Sequence, residues 1–195
     1  MEKKSLCWWT RWVHLYLSMF SFTALIFFAL TGITLNHPTW SDKRQKVEIL
    51  EGNVDLSWIN VADTSSIAKW RIVDNIRDQH KVKGSLTEFR ISESEYSLAF
   101  DGPGFTAYGM IDRSSGAYKM VATSAGFIAA MNDLHKGSYT KGSWNKIIDI
   151  TAIVLVIVSL TGFIMIFFMA KKRSRGLLVA GIGALIFILL CILFS

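Results

Sequence analysis

VHLYLSMFSFTALIFFALTGITL, residues 13–35, is a run of 23 residues with no Asp, Glu, Lys or Arg. It carries no formal charge unless His14 is protonated. A bilayer hydrocarbon core ~30 Å thick takes about 20 apolar residues as a helix, so this run is long enough to cross. It exceeds the apolar core of a secretory signal, and Asn36-His37-Pro38 ends it where a small-x-small cleavage site would stand. The segment is therefore expected to persist as a membrane anchor.

Two further runs have the same character. Ile147 to Ala170 carries one acid, Asp149, expected in the first turn of its helix, and Leu177 to Phe194 carries no charge at all. Only Lys171 to Gly176 separates them, which implies a tight helical hairpin. Basic residues crowd the short flanks: Lys3, Lys4 and Arg11 before the first run, and Lys171, Lys172, Arg173 and Arg175 between the second and third. Lys and Arg in short loops stay on the cytoplasmic side, so both flanks are expected there and the long middle region outside. Trp8, Trp9, Trp12, Trp40 and Trp144 stand where interfacial aromatic belts would lie. The expected segments are a cytoplasmic flank 1–12, spans 13–37, 144–170 and 177–195, a cytoplasmic loop 171–176, and an extracytoplasmic domain 38–143 with an interfacial stretch 126–143.

Composition agrees with this division. Hydrophobic residues make up 51% and charged residues 18%, with a mean hydropathy of +0.36. The net charge of +6 is accounted for by the basic span flanks, so no nucleic-acid partner is expected. Cys7 and Cys191 both lie at span ends, which excludes a disulfide framework in the middle domain, and no C-x-x-C-H run tethers a haem covalently.

Between Ser41 and Ala130 the periodicity shortens. Asp63-Thr64-Ser65-Ser66 offers N-caps, Ile67, Trp70, Ile72, Val73 and Ile76 follow at near-helical spacing, and Gly84 supplies a stop, so one helix is expected. Leu86–Ile91, Tyr96–Phe100, Phe105–Ile111 and Ala117–Val121 alternate as strands, with turns at Asp101-Gly102-Pro103-Gly104 and Asp112-Arg113-Ser114-Ser115-Gly116, and Lys46–Leu50 is an earlier candidate strand. The fold class expected is a three-helix membrane anchor plus a small α+β domain of one helix and an antiparallel sheet. No catalytic constellation stands out: Ser114 and Ser115 sit in a turn, Glu88, Glu93, Glu95 and Asp101 read as a solvated strand face, and His80 reads as a solvent-facing side chain.

The order of parts resembles the PepSY-associated transmembrane family. The residues that carry the likeness are His14 at the start of the first span, Thr31-Gly32 near its end, Leu134-His135-Lys136-Gly137, and a second Thr161-Gly162 in the next span. Asp112 to Gly116 also looks like the Asp-x-x-x-Gly hairpin turn of PepSY domains, so the outer domain is expected to be PepSY-like. Larger members of the family are similar to b-haem proteins that reduce ferric siderophores at the periplasmic face, with span histidines as axial ligands. The resemblance implies haem b, electron transfer and a bacterial inner-membrane location. This chain has three spans and few histidines, short of that larger pattern.

Two imidazoles must face each other across one porphyrin. His14 and His37 are 23 residues apart, or ~34 Å along a helix at 1.5 Å per residue, and cannot share one haem in one subunit. His37 and His135 are both expected at the outer interface, so they form the leading pair of axial ligands. His14 is a further cofactor-binding candidate, its mate being Met165, Met169 or the His14 of a second subunit in a homodimer. The plainer alternative is that these are interfacial or helix-end histidines. Asp149 is open between helix capping and holding an imidazole. With no G-x-G-x-x-G fingerprint, electrons would come from quinol or a redox partner protein. The other reading is a noncatalytic, membrane-anchored binding module that works with a partner transporter or peptidase.

Overall fold

The 13–35 run lies within a single helix, α1, Glu2–Leu35. The computed structural model describes residues 2–42, 45–59, 68–140 and 142–194. Downstream come α2 (Thr39–Asp42), β1 (Lys46–Asn53), α3 (Leu56–Ile59), α4 (Lys69–His80), β2 (Ser85–Ile91), β3 (Glu95–Gly102), β4 (Phe105–Asp112), β5 (Ala117–Ser124), α5 (Gly126–Lys136), α6 (Gly142–Phe168) and α7 (Arg173–Phe194). The chain divides into two compact units, one of residues 1–27 with 147–195, the other of residues 28–146.

In the first unit the long helices leave their apolar side chains uncovered. Among the described residues, α1, α6 and α7 are long and apolar enough to span a membrane, and no residue of α6 or α7 is buried within the protein. A helix that is apolar all round and unburied in its own fold needs lipid around it. The chain is a multi-pass membrane protein. Trp8, Trp9, Trp12 and Tyr16 form a run of ring contacts at 5.1, 5.9 and 4.9 Å. Asp149 is exposed and lies seven residues into α6, because that helix begins at Gly142. It therefore lies beyond the first turn, in which the apolar boundary put it: residues 142–146 join the helix ahead of the span.

The second unit is built on a five-stranded antiparallel sheet in the order β1-β5-β4-β3-β2. Alternation decides which face is covered. Tyr96, Leu98 and Phe100 of β3, Ala107 and Ile111 of β4, and Tyr118, Met120 and Ala122 of β5 point into one core with Ile72, Val73 and Ile76 of α4. Removing each large apolar side chain from water contributes about 1.5–3 kcal/mol. The buried Tyr96 hydroxyl is satisfied by donating to the Ile59 carbonyl at 2.9 Å. The other face keeps Val47, Ile49, Tyr108, Met110 and Val121 in the open.

The helix and meander are as read from the pattern, with differences at the edges. The early strand extends to Asn53 and pairs along its length with β5, which makes it a full member of the sheet. The N-cap reading at Asp63 to Ser66 lies outside the described residues. Trp70 is 65% exposed, off the core face that Ile72, Val73 and Ile76 define. The helix stops at His80 rather than running toward Gly84, since Lys81 takes a left-handed conformation (φ 52°) and its N–H donates to the Arg77 carbonyl. Gly84 (φ 83°) serves the sheet instead: a Cβ there would meet the Asp101 carbonyl oxygen at 2.7 Å.

The β4–β5 turn is organised by one carboxylate. Asp112 Oδ1 accepts from the Ser114 hydroxyl at 2.5 Å, the Ser115 N–H at 2.8 Å, and the Ser115 hydroxyl and Ser114 N–H at 2.9 Å. Gly116, at φ 74°, closes the turn with its N–H on the Asp112 carbonyl. Those donors, the Ser114 hydroxyl first, hold the Asp112 carboxyl below its ordinary 3.8, at about 2. The native state thus binds its proton later than the unfolded chain, so the turn's stabilising contribution is complete above pH 3.8 and lost as pH falls through about 2. Asp112→Asn is expected to lower the melting temperature at neutral pH and to flatten that acid limb, as followed by circular dichroism against pH.

Candidate functional site: two histidines held by Thr-Gly pairs

The two Thr-Gly pairs noted in the sequence each receive a histidine from a distant part of the chain. In the first unit, the half-buried His14 of α1 reaches α6. Its Nδ1 lies 3.1 Å from the Val158 carbonyl oxygen and 3.1 Å from Thr161 Oγ1. The Thr161 hydroxyl donates back to its own helix, at 2.8 Å to the Ile157 carbonyl and 2.9 Å to that of Val158. Gly162 makes room for the ring, because a Cβ there would stand 2.9 Å from His14 Cε1. Among the described residues the hydrogen-bond partners of His14 are Val158 and Thr161.

In the second unit, His135 of α5 reaches the end of α1. Its Nδ1 is 2.6 Å from Thr31 Oγ1, and Thr31 is buried, with 6% of its surface exposed. The ring meets Phe28 edge-on at 5.1 Å and an interplanar angle of 74°, and a Cβ at Gly32 would be 3.9 Å from His135 Cε1. The surrounding contacts fix α5 on several sides. Thr34 donates to the buried Asn132 Oδ1 at 2.5 Å, Asp133 Oδ2 accepts the Gly104 N–H of the β3–β4 hairpin at 2.9 Å, and Trp144 Nε1 donates to the Leu134 carbonyl at 2.8 Å. A left-handed Gly137 then ends the helix.

The expected pairing of His37 with His135 is not what the side chains display. His37 is exposed and stacks on Trp40, with centroids 4.5 Å apart and planes 16° apart. No hydrogen bond or ring contact joins His37 to His135 among the described residues. The stacking has a local cause: Pro38 follows His37, the helix ends, and the Trp40 N–H closes a turn onto the His37 carbonyl. His80 also departs from expectation. Its Nε2 donates to Tyr118 Oη at 2.8 Å, and that hydroxyl donates to Gln79 Oε1 at 2.6 Å, so the ring faces the sheet and not solvent. Burial raises the Tyr118 pKa. Gly52 leaves the space Tyr118 fills, since a Cβ there would overlap its hydroxyl.

His14, His135 and both Thr-Gly pairs stand out in the sequence, but not that the threonines contact the histidines. The signal was present as the repeated tripeptide Leu30-Thr31-Gly32 and Leu160-Thr161-Gly162. Among the described residues no three His, Cys, Asp or Glu side chains gather to hold a metal ion. Each histidine therefore offers one imidazole nitrogen. A single imidazole suits an axial position on a porphyrin, which brings four nitrogens of its own, and does not suit a bare cation that needs three or four protein ligands.

No curated protein and no solved structure matches this chain. A family model does, over residues 8–195, so it takes in α6, α7, the sheet and nearly all of α1. The chain belongs to the PepSY_TM-like family.

Proposed function

We propose that the protein is a b-type haem electron-transfer component of the bacterial inner membrane, with His14 and His135 as separate axial-ligand positions. Its acceptor is a ferric or ferric-siderophore species on the extracytoplasmic side, where the sheet domain lies, and its donor is quinol or a redox partner. The observation that carries this reading is the shared state of the two imidazoles: Nδ1 is engaged and Nε2 has no hydrogen-bond partner among the described residues. In ligand histidines of metalloproteins one ring nitrogen is fixed by a hydrogen bond and the other is left for iron. A haem b bound there supplies a one-electron couple. The chain's own part is to orient each ring, to keep Nε2 open, and to surround the position with apolar helix. His37 is the further candidate for the second ligand beside His135, and to serve it must leave its stack on Trp40.

The test is the optical spectrum of protein purified from haem-replete cells, with haem per chain measured as pyridine haemochrome. A Soret band that shifts on dithionite reduction is expected. His14→Ala and His135→Ala should each lower the haem content, while His80→Ala leaves it unchanged. A colourless wild-type preparation overturns the proposal. One feature favours a binding module instead: the uncovered sheet face of Val47, Ile49, Tyr108, Met110 and Val121, an apolar patch of the kind that contacts partner proteins. In that case the outer domain engages a transporter or peptidase and haem is absent.

A further inference from the structure

The connection between α6 and α7 carries cations without a counter-charge nearby in the chain. No Asp or Glu occurs after Asp149, whereas Lys171, Lys172, Arg173 and Arg175 crowd the short loop. The salt bridges of the described residues, Lys46–Glu48, Glu88–Arg90, Glu51–Lys119 and Asp133–Lys136, all lie between residues 46 and 136. The loop itself is tightly folded. The N–H groups of Lys172 and Arg173 both donate to the Met169 carbonyl at 2.9 Å, and the Gly176 N–H donates to the Lys172 carbonyl at 2.9 Å.

Beside this loop runs a groove of about 530 Å³, lined by Ile166 of α6 and by Lys172, Arg175, Gly176, Val179 and Ala180. That volume falls within the range of about 300–1,000 Å³ found for ligand clefts. Of the four loop cations, Lys172 and Arg175 line it, and Lys171 and Arg173 are not among its lining residues. Gly176 lets the two helices approach, since a Cβ there would stand 3.1 Å from Ile166 Cγ2, whereas one at Gly181 or Gly183 would meet nothing within 4 Å. Past the two cations the groove is walled by aliphatic side chains. An apolar groove on a pair of spans lies in hydrocarbon, so what fills it is a lipid chain. The cations at its loop end call for an anion, and basic pockets between spans bind anionic headgroups. One class of molecule supplies both parts.

We propose that this groove binds one anionic phospholipid, its phosphate held by Lys172 and Arg175 and an acyl chain laid along Ile166, Val179 and Ala180. The site goes beyond the haem reading and does not depend on it. The plainer role of the loop cations, fixing membrane orientation by their charge, treats all four alike. The groove instead separates Lys172 and Arg175 from Lys171 and Arg173.

The test is native mass spectrometry of the full chain, delipidated in a neutral detergent and titrated with an equimolar mixture of phosphatidylglycerol and phosphatidylethanolamine. The wild type should prefer phosphatidylglycerol and saturate its preferred site at one lipid per chain. A Lys or Arg beside an anionic headgroup strengthens attachment by about fivefold, so Lys172→Gln combined with Arg175→Gln should weaken phosphatidylglycerol binding on the order of 20-fold. Lys171→Gln combined with Arg173→Gln removes the same charge and should bind as the wild type does. Ala180→Leu changes no charge, fills the groove and should also lower the affinity. Excess glycerol phosphate, the headgroup anion without its chains, should not displace the lipid. An unchanged circular dichroism spectrum and melting transition show that each variant is folded. Four results overturn the proposal: equal binding of the two lipids by the wild type, equal losses in the two double variants, an Ala180→Leu variant that binds as the wild type does, or displacement by glycerol phosphate.

Discussion

Gly109→Ala is expected to destabilise the sheet domain strongly for the addition of a single methyl group. Gly109 is on the core face of β4, directly opposite Met120 of β5. The missing side chain leaves the space in which Met120 is fully buried. A Cβ at this position would overlap Met120 Cγ and stand 2.7 Å from the Lys119 carbonyl oxygen. The methionine could change rotamer, but it is enclosed by the same core, and the Lys119 oxygen belongs to the backbone. Overpacking a core costs about 1–3 kcal/mol when side chains can give way, and a backbone clash puts this change at the upper end. For a domain of this size each kcal/mol is worth about 4–8 °C, so a drop on the order of 10–20 °C in the melting temperature is expected. Hydrogen exchange of β4 and β5 amides should accelerate in parallel. A variant that melts with the wild type would show that Met120 repacks without cost.

The second large effect separates the two glycines of the Thr-Gly pairs. Gly162→Ala puts a methyl 2.9 Å from His14 Cε1, whereas Gly32→Ala puts one 3.9 Å from His135 Cε1, an ordinary van der Waals distance. The His14 ring must therefore move by roughly 0.5–1 Å, judged against carbon contacts that are optimal near 3.5–4.0 Å. That movement breaks the fork to Val158 and Thr161, and leaving such a group unsatisfied costs about 1–3 kcal/mol. Gly162→Ala should change the His14 ring shifts in 15N spectra, while Gly32→Ala leaves those of His135 as they were. Equal effects of the two substitutions would mean that the glycines serve helix crossing only. The contrast matters because Thr31-Gly32 and Thr161-Gly162 read identically in the sequence, and only the distance to the imidazole tells them apart.

What the residues determined alone is the part that depends on solvent and on local periodicity. Uncharged runs of span length are incompatible with water, so α1, α6 and α7 were readable from hydropathy. Alternation with a period of two placed the strands, and Asp112 to Gly116 placed a turn, since these follow from neighbours within a few residues. The end of α4 at His80 was not readable that way. It depends on Lys81 adopting a left-handed backbone that nothing in its residue type demands, while at Gly84 a Cβ would come within 2.7 Å of the Asp101 carbonyl oxygen on the neighbouring strand.

The site divides along the same line. His14, His37 and His135 were visible as residue types at span boundaries, but their partners were not, because a hydrogen bond between residues 104 or 147 positions apart leaves no local pattern. Proximity in sequence to the outer boundary favoured His37 with His135. The tertiary structure instead set His135 on Thr31 and stacked His37 on Trp40. Sequence decides which segments leave water and which alternate. Packing across the chain decides which nitrogen of an imidazole is held and which is left open, because that choice is made by the partner that faces it.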